Sequence, residues 1–81
     1  MLYEPSMADD IATALTGVDH LHLNAIYPKV RELRRKNGRS TPINLKASIR
    51  NTLQRNCSDC PQFQGDDRFV QLYNGVWALR R

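Results

Sequence analysis

The stretch "RFVQLYNGVWALR", residues 68 to 80, decides the fold. Asn74 and Gly75 sit between two apolar runs and form the strongest short hairpin signal a sequence can carry, because both residue types tolerate the backbone of a tight turn. Pairing outward from that turn sets Tyr73 opposite Val76, Leu72 opposite Trp77, Gln71 opposite Ala78 and Val70 opposite Leu79. Directly opposed residues share a face. The expected apolar face is therefore Val70, Leu72, Trp77 and Leu79, with Phe69, Tyr73 and Val76 on the outer one. Trp77 reads as a core anchor and Tyr73, beside the turn, as the residue placed to touch a partner.

An apolar hairpin face needs something to pack on, and the upstream sequence supplies three helices. The first spans residues 7 to 16, with Ser6 as cap after Pro5, Met7, Ile11 and Leu15 on one face, and Asp9 and Asp10 in the first turn where they favour the dipole. "HLHL", residues 20 to 23, alternates strictly and predicts a short strand with Leu21 and Leu23 inward and both histidines outward. Asn24 is the expected cap of a second helix over 25 to 37, with Ile26, Val30 and Leu33 buried, Pro28 in its first turn and Gly38 at its end. A third helix occupies "NLKASIRNTLQRN", residues 44 to 56. Its start falls at Thr41 with Pro42 or at Asn44.

On that third helix Leu45, Ile49 and Leu53 form one stripe, about 100° per residue apart. Opposite them lie Ala47, Arg50, Asn51 and Gln54, flanked by Lys46 and Arg55, with Asn44 at the start. Arginine forks onto guanine, and asparagine or glutamine onto adenine, so this is a face equipped for base edges. The order helix, short strand, helix, helix, hairpin is α+β and matches a winged helix, whose third helix enters the major groove of duplex DNA while the hairpin, or wing, rests on the neighbouring backbone.

Charge points the same way. The net charge is +4, but residues 29 to 55 hold nine Lys or Arg against Glu32 alone, a local charge of +8, while the remainder sums to −4. Neutralising phosphates supplies most non-specific affinity for DNA, so Lys36 and Arg39 are expected to contact phosphates, and Tyr73 and Asn74 to add contacts from the wing. An anionic membrane would also attract this block, yet it lacks the exposed Trp, Phe and Leu of an interfacial helix. An RNA-recognition sheet would need stacked strand aromatics that are absent. The acidic start "MLYEPSMADD" is unlike a secretory signal, which makes a cytoplasmic, nucleoid-associated location the expectation.

The chain's 81 residues, 41% hydrophobic and 25% charged, suit one globular domain too small to roof a deep catalytic cleft. No GxGxxG, phosphate loop or HExxH occurs, and Asp66 and Asp67 belong to a Gly-containing loop, so no enzyme activity and no cofactor is expected. "CSDC", with Cys57 and Cys60, has the spacing of half a zinc site that His20 and His22 would have to complete. Two reduced loop thiols and no metal are the expectation. The basic block leaves open a second class, an interaction module for an acidic protein partner, or a transcriptional regulator.

The patterns "HLNAIYPKV", "IRNTLQRN" and "GVWAL" also resemble winged helix-turn-helix domains attached to bacterial restriction and HNH-type endonucleases, relatives of the HARE-HTH modules of chromatin proteins. The likeness runs from Leu21 to Leu79, most specifically through Ile49, Arg50, Leu53, Gln54, Gly75, Val76, Trp77 and Leu79; the Cys pair departs from it. It implies a DNA reader, including of methylated adenine, joined to a nuclease domain in the same polypeptide.

Overall fold

The computed structural model describes residues 6 to 80, so Pro5, expected ahead of the first cap, lies outside the described residues. The described residues form three helices and a three-stranded antiparallel sheet in the order α1 (Met7–Leu15), β1 (Leu21–His22), α2 (Leu23–Lys36), α3 (Leu45–Arg55), β2 (Phe69–Tyr73) and β3 (Val76–Leu79). Ser6 starts α1 through a reciprocal cap: its hydroxyl accepts from the Asp9 N–H at 3.3 Å, and the Asp9 carboxylate accepts from the Ser6 N–H at 3.0 Å. Ile11, Leu15, Ile26, Val30, Leu45, Ile49, Leu53, Phe69 and Trp77 form one core.

The second helix departs from expectation. It begins two residues early, and His22, not Asn24, is the cap: the imidazole Nδ1 accepts from the Asn24 N–H at 3.0 Å. Leu23 consequently leaves the strand, and its N–H donates to the Gly75 carbonyl at 2.7 Å, so a first-turn amide of α2 is satisfied by the hairpin tip. Pro28 then falls at the sixth position of the helix instead of its first turn, where its missing N–H forfeits one intrahelical bond. At the far end Gly38, with φ of 69°, lets the Arg39 N–H turn back onto the Arg34 carbonyl at 2.8 Å. For α3, Asn44 is the cap position, although its side chain makes no capping hydrogen bond.

The hairpin turn is at Asn74 and Gly75, but the register differs. Tyr73 pairs with Val76 as expected; beyond it Gln71 pairs with Trp77, Val70 with Ala78 and Phe69 with Leu79, leaving Leu72 as an extra residue in a bulge. Two causes combine. Gly75 has φ of 76° while Asn74 does not enter positive φ, a combination unlike the I′ turn that holds two strands in plain register. The bulge also turns Phe69 inward beside Trp77, so both large aromatics are buried, at the expense of Leu72, which is 44% exposed. The expected face of Val70, Leu72, Trp77 and Leu79 is thus corrected to Phe69, Trp77 and Leu79. Leu21 joins it because β1 pairs with β3, setting Leu21 against Trp77.

Candidate nucleic-acid interface

With Leu45, Ile49 and Leu53 committed to the core, the opposite side of α3 is left to solvent. Asn44, Lys46, Ala47, Arg50, Asn51 and Arg55 are exposed and Gln54 is half-buried. Among the described residues no ion pair or hydrogen bond holds the side chains of Arg50, Asn51, Gln54 or Arg55. Lys46 places its ammonium over the Tyr27 ring of α2, with Nζ 5.6 Å from the centroid, while the residue as a whole stays exposed. The expected reading face is therefore brought together on one helix, with its donors and acceptors available.

The rest of the basic block is not displayed in the same way. Asp10 of α1 turns into the protein, where its carboxylate accepts from Arg34 Nη1 at 2.7 Å and from Arg39 Nη2. The three side chains are only 5%, 12% and 11% exposed respectively. Arg34 Nε also donates to the Ser40 carbonyl at 2.9 Å, tying the connector before α3 into the same cluster. Arg39, expected on phosphate, is corrected to a structural residue: its guanidinium is buried and paired with an acid 29 residues away, which it shares with Arg34. Lys29 donates to the Ala14 carbonyl at 3.0 Å, at the negative end of α1. Arg35 pairs with Glu32 at 2.8 Å on the surface, and its guanidinium holds the Glu32 carboxyl below its ordinary range. What remains exposed with neither an ion pair nor a side-chain hydrogen bond among the described residues is Arg31 and Lys36 on α2 and Lys46, Arg50 and Arg55 on α3.

The hairpin tip is exposed as expected, with Tyr73 at 71% and Asn74 beside it. Between Phe69 and Leu79, however, there is no Lys, Arg, Asp or Glu. The tip can offer a phenol, an amide and backbone groups, but no cation.

The "CSDC" loop is also more buried than its composition suggests. Cys57 is fully buried in the core and Cys60 packs against it; both are free thiols in a loop, as expected, but they are not the exposed ones its composition suggested. Burial, reinforced by the neighbouring Cys57, pushes the Cys60 thiol up to about 11. Ser58 and Arg80 clamp the loop through Asp67 and Asp59: the Ser58 N–H reaches Asp67 at 2.9 Å and Arg80 reaches Asp59 at 3.0 Å. His22 spends its Nδ1 on the α2 cap, and among the described residues no three His, Cys, Asp or Glu side chains converge as metal ligands.

Two residues at this surface escaped the sequence reading. Arg31 lay in the basic block without a feature to separate it from its neighbours, and Ile43 looked like an ordinary apolar connector residue. Both border the start of α3. Comparison with family profiles, with curated proteins and with solved structures returns no match for this chain. Among the described residues no helix is long and apolar enough to cross a membrane.

Proposed function

We propose that this chain is a winged-helix module that binds duplex DNA, with α3 in the major groove and the hairpin against the adjoining backbone. The observation that carries the reading is the outward face of α3. Arg50, Asn51 and Gln54 stand there together with Lys46 and Arg55, unengaged by other described side chains apart from the Lys46 contact with Tyr27. Arg50 and Asn51 are the base-reading residues, Gln54 contributes from a half-buried position, and Lys46, Arg55, Lys36 and Arg31 meet phosphates. Ala47, with no polar group, lets the helix approach the groove floor. Tyr73 and Asn74 bond to the backbone as neutral donors.

The helix-face geometry and the α+β order of elements support this reading; the resemblance to endonuclease-linked domains adds a nuclease in the same polypeptide and methylated adenine as a target, and DNA binding itself implies a nucleoid location. A selection of binding sites from unmethylated and adenine-methylated DNA pools tests it. Enrichment of a sequence, with affinity falling steeply as salt rises, is the expected result. Salt-independent affinity, or binding of an acidic protein in place of DNA, would replace it with the interaction-module reading.

A further inference from the structure

Ile43 is out of place on a cationic surface. It lies in the connector between α2 and α3, and its side chain is fully exposed at 102%, while Leu45 two residues on is buried. Around it runs a groove of about 370 Å³ bordered by Arg31, Lys46 and Arg50 and lined on its apolar side by Pro42, Ile43 and Ala47. Neither Arg31 nor Arg50 has an ion pair or side-chain hydrogen bond among the described residues. The groove therefore needs a ligand that is anionic at its edge and apolar within. The major groove of DNA is such a ligand: phosphates line its rim, and the only apolar group that natural base pairs present in it is the C5-methyl of thymine, with 5-methylcytosine adding the same group at cytosine.

Position agrees with chemistry. Residues at the N-terminal end of a recognition helix are among those that reach base edges, and Ile43 immediately precedes the α3 cap residue Asn44. We propose that Ile43, with Ala47 beside it, reads a pyrimidine 5-methyl group in the major groove while Arg31 and Lys46 hold the flanking phosphates. The inference rests on the DNA-binding reading above and adds to it a specificity-determining residue and the group it recognises.

The test uses the full chain and the duplex obtained by site selection, with each thymine replaced in turn by deoxyuridine, which lacks only the methyl. At one position the wild-type protein should lose about fourfold in affinity, the value of one buried methyl. In Ile43→Ser that loss should vanish, and in Ile43→Val most of it should remain. Ile43 is fully exposed, so the thermal unfolding of both variants should match the parent. A second arm compares cytosine with 5-methylcytosine at the same position. Gain from methylation there assigns the contact to any 5-methylpyrimidine, and discrimination confined to the first arm assigns it to thymine. Wild-type indifference to every deoxyuridine, or an equal loss in Ile43→Ser, overturns the inference while leaving salt-dependent DNA binding intact. Absence of any duplex binding overturns the reading beneath it as well.

Discussion

The two halves of the basic block carry similar residues, but the first ties three of its four arginines into pairs within the protein while the second leaves both of its arginines exposed. In the half formed by α2 and its connector, Arg34 and Arg39 are drawn inward onto Asp10 and Arg35 is matched by Glu32. In the α3 half, Arg50 and Arg55 face solvent without an ion pair among the described residues. A buried charge must be paired, because its desolvation is not otherwise offset; an exposed one has no such obligation and stays available to an outside anion. Position relative to Asp10 on α1, and not residue type, separates the two buried arginines from the exposed ones. Arg34 and Arg39 thereby position α3, since one of them also bonds the connector at Ser40.

The sharpest way to break this contrast is Asp10→Ala. Two arginines would be left buried without their counter-charge, which costs about 3 to 5 kcal/mol of stability. Urea unfolding measures it, and a loss within the range of ordinary surface changes would show that the cluster does not hold the fold. On the other half, Arg50→Ala and Asn51→Ala should leave stability within about 0.5 kcal/mol while removing about 1 to 3 kcal/mol of discrimination at one base position. Binding to a panel of single-base variants reads this out; unchanged preference would demote α3 from reader to anchor.

A smaller effect separates two residues close in sequence. Lys36→Ala should flatten the dependence of log affinity on log salt by about 0.9, one phosphate contact, with no change in unfolding. Arg39→Ala should lower stability and leave that slope alone. If both variants changed only the slope, Arg39 would have to be displayed in solution, contrary to its buried pairing. The smallest effect is at the exposed Glu32–Arg35 pair. Glu32 titrates below its ordinary 4.5 because Arg35 bonds the carboxylate. The folded-state value is the lower one, so the pair's small contribution is present above pH 4.5 and is lost as pH falls through the depressed value. Glu32→Gln should remove this acid-side dependence in a pH series of melting curves and, by freeing Arg35, steepen the salt slope. An unaltered acid limb would show that Arg35 does not hold the carboxylate in solution.

Local periodicity announced a good deal of this molecule. The buried stripe of α3, the cap at Ser6, the turn at Asn74 and Gly75 and the candidate face from Lys46 to Arg55 all follow from spacings within a few residues. The start of α2 was misread because Asn24 is the better cap by composition, whereas His22 holds the position through a ring nitrogen and through the Gly75 carbonyl bonded to Leu23. Cys57 was misread because a Pro- and Asp-containing segment looks like open loop, while Arg80 and Ser58 fold that loop over the core.

What the order of residues settled alone was that three helices form, which of their sides is apolar and where positive charge is concentrated, since these depend on the 3.6-residue repeat and on side-chain type. The hairpin register and the fate of each arginine were settled only in three dimensions. Leu72 is expelled into a bulge so that Phe69 can join Trp77 against the helices, and Arg34 and Arg39 meet Asp10 across 24 and 29 residues. Such contacts have no period for a sequence to display: packing volume chose between two registers of one strand pair, and burial of a single carboxylate selected two cations from a run of similar ones.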